Sequence, residues 1–291
     1  MTRIKYFFLY IACAALIASG TAHAETDNLL SEEPVAAPQS DGATIQTVAS
    51  DEQPEESISA RNLSTQRSRI KLSAFGGLNF SNYSLGGTGL NSSFYSTGLF
   101  LLGGALRVKP SQDSYTAGAR FIYSQITHDL ISTVSPSWVR ASQLSVLGDV
   151  TMHPFQKFER LGLSLGYAFM MRTVTETTPR VMGGAIAHGP LIGARYHTAF
   201  LKHWVMESSV NLIFPISHRE TGLNTGFRNI ALGGEALANI LYYFNSRFAA
   251  GIGIMAGLNA VYFSGSGSRG VTDARELDWI YSIPLELRLC F

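Results

Sequence analysis

Apolar and polar residues alternate with a period of two through most of the chain after Arg69. Along the last stretch the odd positions read Trp279, Tyr281, Ile283, Leu285, Leu287, Leu289 and Phe291. The even positions read Ile280, Ser282, Pro284, Glu286, Arg288 and Cys290. Successive side chains of a strand point to opposite faces, so one face is wholly apolar and the other carries a carboxylate and a guanidinium. Leu161, Leu163, Leu165, Tyr167 and Phe169 repeat the apolar face. So do Trp204, Met206, Ser208, Val210, Leu212, Phe214 and Ile216, with Ser208 the one polar member, and then Phe248, Ala250, Ile252, Ile254, Ala256, Leu258, Ala260 and Tyr262. Aromatic residues fall near the ends of these faces and small aliphatic ones mid-strand, the distribution that two membrane interfaces impose. The pattern predicts ten strands, at 69–83, 93–109, 114–128, 136–152, 161–176, 187–200, 203–218, 226–244, 247–263 and 276–291, with eight or twelve as alternatives.

The connections alternate in length. Short turns are expected at 110–113, 154–160, 201–202 and 245–246, and longer polar or glycine-rich loops at 84–92, 129–135, 177–186, 219–225 and 264–275. Short turns at one end and long loops at the other mark an all-β, transmembrane, antiparallel up-and-down β-barrel, and an even strand count puts both termini at the short-turn end. Parity then assigns an inward set: Lys71, Arg107, Arg120, Asp149, Arg172, Arg195, His197, Glu207, Asn211, Glu235, Asn239, Glu286 and Arg288. Outward mid-strand positions are almost free of charge. An Arg or Lys at the lipid midplane costs about 2–4 kcal/mol, so a bilayer enforces that partition. Six inward cations facing four inward acids can satisfy one another in a water-poor interior, which favours a packed polar core over a narrow conductive path lined by the same groups.

The terminal Phe291, preceded by apolar residues at every second position, resembles the C-terminal signal of small bacterial outer-membrane β-barrels. The resemblance covers residues 69–291. It implies a Gram-negative-type envelope, recognition of the strand Trp279 to Phe291 (Trp279, Tyr281, Ile283, Leu285, Leu287, Leu289, Phe291) by the barrel-assembly machinery, and outer-membrane lipids and lipopolysaccharide as neighbours. It implies no activity, because this architecture hosts pores, adhesins, enzymes and scaffolds alike.

Composition adds a compartment and a tail. Arg3 and Lys5 precede the apolar run Tyr6 to Ala18 and then Ala22-His23-Ala24, the pattern of a signal peptide cleaved after Ala24. That leaves Cys290 as the only mature cysteine, so no internal disulfide is available and stability must come from barrel closure. Residues 25–68 hold nine Asp and Glu against Arg61 and Arg67, and no aromatic residue, which predicts a disordered acidic periplasmic tail. From Arg69 onward eighteen Lys and Arg face twelve Asp and Glu, scattered rather than clustered, so nucleic acid is not an expected partner. Arg69, Lys109, Lys157, Arg160, Lys202 and Arg247 oppose only Asp113 and Glu159 at the terminal end, a rim the tail could shield.

Two motifs look chemical. Gly162-Leu163-Ser164-Leu165-Gly166 matches G-x-S-x-G, but a nucleophile elbow needs a strand-to-helix turn and this copy lies mid-strand. Gly265-Ser266-Gly267-Ser268-Arg269-Gly270 matches G-x-G-x-x-G without the βαβ unit that gives it meaning. His128-Asp129 and His218-Arg219-Glu220 fall at outer strand ends, where a rim enzyme acting on lipid or peptide would keep a general base; a solvated rim histidine is the plainer expectation. No catalytic residue, metal or cofactor is expected. The sequence therefore points to a non-enzymatic barrel, either structural or a narrow, low-conductance pore for ions and small solutes. An adhesion barrel working through its external loops, or a rim-sited hydrolase, stands as the alternative.

Overall fold

The computed structural model describes residues 69–88, 90–96, 99–110, 115–130, 137–154, 160–176, 182–222, 224–267 and 270–291. The leader, the acidic tail and parts of the hairpin loops lie outside the described residues. Twelve strands are described: β1 (Ile70–Thr88), β2 (Leu90–Ser96), β3 (Leu99–Val108), β4 (Tyr115–Leu130), β5 (Ser137–Met152), β6 (Leu161–Glu176), β7 (Gly184–Leu201), β8 (Trp204–Ile213), β9 (Ser217–Thr221), β10 (Phe227–Tyr243), β11 (Phe248–Ser264) and β12 (Thr272–Cys290). Every pairing is antiparallel, and β12 pairs with β1, so the sheet closes on itself.

Twelve strands make ten staves. β2 and β3 both lie between β1 and β4, and the register slips by one residue between them: Asn82 pairs with Tyr95, whereas Asn79 pairs with Leu99. β8 and β9 likewise follow one another along β7, with a slip between Leu191–Ile213 and His188–Ser217. Phe214 N–H and Ile216 N–H still donate to the Pro190 and His188 carbonyls across that slip. Both breaks are bulges, which add a residue and reverse the inward–outward parity beyond them.

Several strands run past their expected ends at the end remote from the termini, called here the distal end. Residues 84–88 are expected as loop but belong to β1, which turns straight back through Leu90 opposite Gly87. Residues 272–275 belong to β12, and 184–186 to β7. The expected ends were set where the outward face stops being apolar. Ladder hydrogen bonds need no apolar face, so the wall continues into the polar region.

The seam between β1 and β12 is locked by its last residue. Phe291 N–H donates to the Ile70 carbonyl over 2.8 Å, and Ile70 N–H donates back over 3.1 Å. Further along, Pro284 lies opposite Gly77 and has no N–H for the ladder. A Cβ at Gly77 would fall on the Ile283 carbonyl, so glycine lets the strands approach there. Outside, Leu72, Leu78, Phe100, Leu102, Phe121, Leu163, Leu165, Ile252, Leu285 and Leu287 form an exposed apolar belt.

The seam yields a matched pair of variants. Gly77→Val should destabilise the barrel by about 1–3 kcal/mol through overpacking and lower the fraction that migrates as a compact band in unheated detergent gels. Gly148→Val, whose added carbons meet open space outside the wall, should leave that fraction unchanged.

Candidate functional site: the barrel interior

The interior is layered along the bore, with a mid-bore apolar cluster of Leu147, Ala168, Leu191 and Ile213 between its charged knots. At the terminal end Val205, Leu241, Tyr243, Ala249 and Cys290 form a buried apolar floor. All five sit at inward positions of their strands, in a bore that side chains can fill.

Above the floor Arg288, on β12, ties four staves together. Its Nη1 and Nη2 donate to both Glu207 oxygens over 2.7 and 2.8 Å, the fork-on-carboxylate geometry. Its Nε donates to Glu286 over 2.9 Å, and Glu286 also accepts from Ser73 at 2.6 Å and Asn239 at 2.7 Å. Lys71 Nζ lies 4.0 Å from Glu207. One turn of the bore further on, Arg195 donates to Asp149 over 2.7 Å and to Ser164 over 3.2 Å, and Thr151 donates to Asp149 over 2.9 Å. Opposite them Arg120 pairs with Glu235, which also accepts from Asn211 over 3.3 Å.

Toward the distal end Arg172 forms the last knot. It donates to Glu276 over 2.6 Å, to Asp278 over 3.3 Å and to the Gly183 carbonyl over 3.1 Å, with its guanidinium 4.8 Å from the Tyr83 ring centre. Tyr83 Oη donates to Glu276 and Ser81 Oγ to Asp278, so both carboxylates are held twice. Over this knot lies another apolar layer: Tyr83, Leu85, Phe94, Val139, Ala141, Met182, Val261, Phe263, Val271 and Ala274.

The structure corrects the interior charge count. Glu276 and Asp278, at the start of the expected strand 276–291 and outside the expected inward set, are buried inward on β12. They bring six acids opposite the six expected cations, so the anticipated surplus of two positive charges vanishes. Of the expected inward residues, Lys71, Arg120, Asp149, Arg172, Arg195, Asn211, Glu207, Glu235, Asn239, Glu286 and Arg288 join the lattice. Arg107 lies alongside it over Gly118, and His197 packs edge-on against His153 instead.

The histidines are also corrected. Neither is a solvated rim group. His128 is buried and meets Phe94 edge-on with ring centres 6.5 Å apart; His218 meets Phe263 at 5.8 Å. His218 points inward because the bulge after Ile213 reverses parity, which alternation alone cannot register. Ser164 shares a 2.8 Å hydrogen bond with Thr151 on flat strand, with no turn to expose it. The distal apolar layer is what the sequence reading missed. Its signal was present: Val261-Tyr262-Phe263 is apolar on both faces, as a strand buried from both sides must be.

Removing one partner of a buried pair leaves an uncompensated charge. Arg172→Met alone should therefore cost about 3–5 kcal/mol in urea unfolding from lipid vesicles. Adding Glu276→Gln and Asp278→Asn should recover most of it; equal losses in the single and triple variants would show that the pairing is not what matters.

Protein-family models and curated sequences give no match to this chain. Among solved structures, the chain is similar to the outer membrane protease OmpT from Escherichia coli, at 10% identity and TM-score 0.46 over 76% of this chain and 96% of that one. It is similar to the Pseudomonas putida toluene transporter TodX at 8% identity and TM-score 0.37, over 80% and 92% of the two chains. With the outer membrane protein OprG from Pseudomonas aeruginosa the values are 11%, 0.32, 75% and 95%.

Proposed function

We propose that this chain is an integral outer-membrane barrel whose bore is packed shut, a non-enzymatic membrane-structural protein. The single observation behind this reading is the layered interior: apolar floor, charge-neutral lattice, apolar cap. Two of the cavities among the described residues, of about 50 and 40 Å³, each have room for a few waters. An inward-facing charge lattice is costly to desolvate and gains little net stability. Its role in this reading is to fill a bore whose strands must be polar inside, and to fix which staves face one another.

An apolar belt outside and a polar bore inside suit the outer membrane, and the charged and apolar leader pattern of residues 3–24 suits export to it. Both termini then lie on the periplasmic side. The odd face of β12, from Trp279 to Phe291, is open to the outside along its length and is the surface the assembly machinery would meet. Lipopolysaccharide and outer-membrane phospholipids are the proposed neighbours of the belt.

A second reading, a pore of low conductance, draws on one feature. The two cavities share Gln143, Met170 and Asn259 in their linings, so modest side-chain motion would join them. Planar-bilayer recording separates the two. The purified refolded chain should insert without unitary current steps, whereas reproducible steps altered by Arg120→Ala or Glu235→Ala would make it a pore. Recovery in the outer-membrane fraction after cell fractionation is expected, and recovery as a soluble periplasmic protein would end both readings.

A further inference from the structure

The ladder between the seventh and eighth staves stops early. β8 and β10 pair from Trp204–Tyr242 up to Ile213–Gly233. Beyond that point β9 pairs only with β7, and the first part of β10 only with β11. From Pro215 to Thr221 on one side and Phe227 to Leu232 on the other, the wall has two unladdered lips. Among the described residues Arg228 Nη1 donates to the Pro215 carbonyl across them over 2.9 Å, and Thr225, just before the second lip, donates to Glu220.

The position of the slot matters. Trp204 to Ile213 is ten residues, already the length of strand that crosses the hydrocarbon. The slot therefore opens where the wall leaves the bilayer core and enters the head-group region on the distal side. Unpaired backbone groups are tolerable there, while in the core they are not.

Three observations define what fits. Phe227, Ile230 and Ile216 on the lips are 80%, 68% and 63% exposed, three of the five apolar side chains above 60% among the described residues. Behind the lips lies the cavity of about 40 Å³, lined by Pro215 and Ala231 from the two sides and by His218, Arg172, Glu276 and Asp278 from within. His218 Nδ1 is buried there without a hydrogen-bond partner. Arg172 is already held by Glu276 and Asp278, but Arg228 is bonded to a neutral carbonyl, so its charge is not spent on a carboxylate among the described residues.

We propose that the gap between β9 and β10 is a lateral binding slot for a single-chain anionic amphiphile. Its head group is received by Arg228 and His218, and its chain descends along Ile216, Phe227 and Ile230 into the distal leaflet. An uncharged apolar molecule would leave both polar groups unmet; a free anion would leave the lips bare. The inference rests on the wall being lipid-facing, and it is independent of whether the bore conducts.

The test uses the full chain refolded in a neutral maltoside detergent, with spin-labelled stearate and its methyl ester as probes. The acid should bind at least tenfold more tightly than the ester, about one charge-assisted hydrogen bond. Arg228→Gln should remove that preference and Arg228→Lys restore part of it. Ile216→Ser with Ile230→Ser should weaken both probes. Displacement by dodecyl phosphate as well as laurate would mean that the slot reads charge, and displacement by laurate alone that it reads the carboxylate. Equal binding of acid and ester, or wild-type binding by Arg228→Gln, overturns the proposal. Each variant is first checked for the compact unheated band. Should Arg228→Gln fail that check, Ala231→Trp, which fills the cavity, must abolish acid binding instead. A chain that folds and binds no stearate fails this inference alone, whereas one that never enters detergent or lipid as a barrel fails the membrane reading as well.

Discussion

In hydrocarbon an unpaired peptide group has no water to turn to, so the backbone hydrogen-bond ladder must close on itself. Everything else in this molecule follows from that closure. The ten staves meet at the β1–β12 seam, where residues 70 and 291 exchange hydrogen bonds. Closure then forces alternate side chains into two different solvents. The outward set becomes a belt of Leu, Ile, Phe, Tyr and Trp. The inward set must fill a bore too narrow for bulk water.

The inward set meets that demand with charge neutrality rather than with apolar packing throughout. Arg288 binds Glu207 and Glu286, Arg195 binds Asp149, Arg120 binds Glu235, and Arg172 binds Glu276 and Asp278. These pairs join staves distant in sequence, since Arg172 on β6 reaches β12. Such a lattice discriminates between registers more than it stabilises any one of them, because a one-residue slip of a strand would carry its charges to the lipid face. The apolar layers above and below narrow the access of water to the lattice, while Lys71 and Glu207 at its terminal end stay partly exposed.

The two bulges show where the closed wall gives way. At the β2–β3 break both neighbouring strands pair with both halves, and the wall stays continuous. At the β8–β9 break only β7 follows the slip, and β10 is left behind. The same extra residue that turns His218 into the barrel also opens the wall beside it. A local change in backbone count thus produces an inward polar group, a cavity and a lateral slot at one place.

Period-two alternation carried the architecture in the sequence: the all-β class, the ten staves, and the inward identity of residues such as Arg120, Glu207 and Arg288. Alternation is legible because lipid and interior impose opposite chemistry on neighbouring residues, which leaves a local trace. Three features depend on the assembled barrel instead. Glu276 and Asp278 look like charges at a strand end until β12 is seen to begin at Thr272 and face Arg172. His218 changes sides only because a bulge precedes it. Which cation meets which acid depends on stagger between staves, a relation among residues as far as 115 positions apart that no local pattern records.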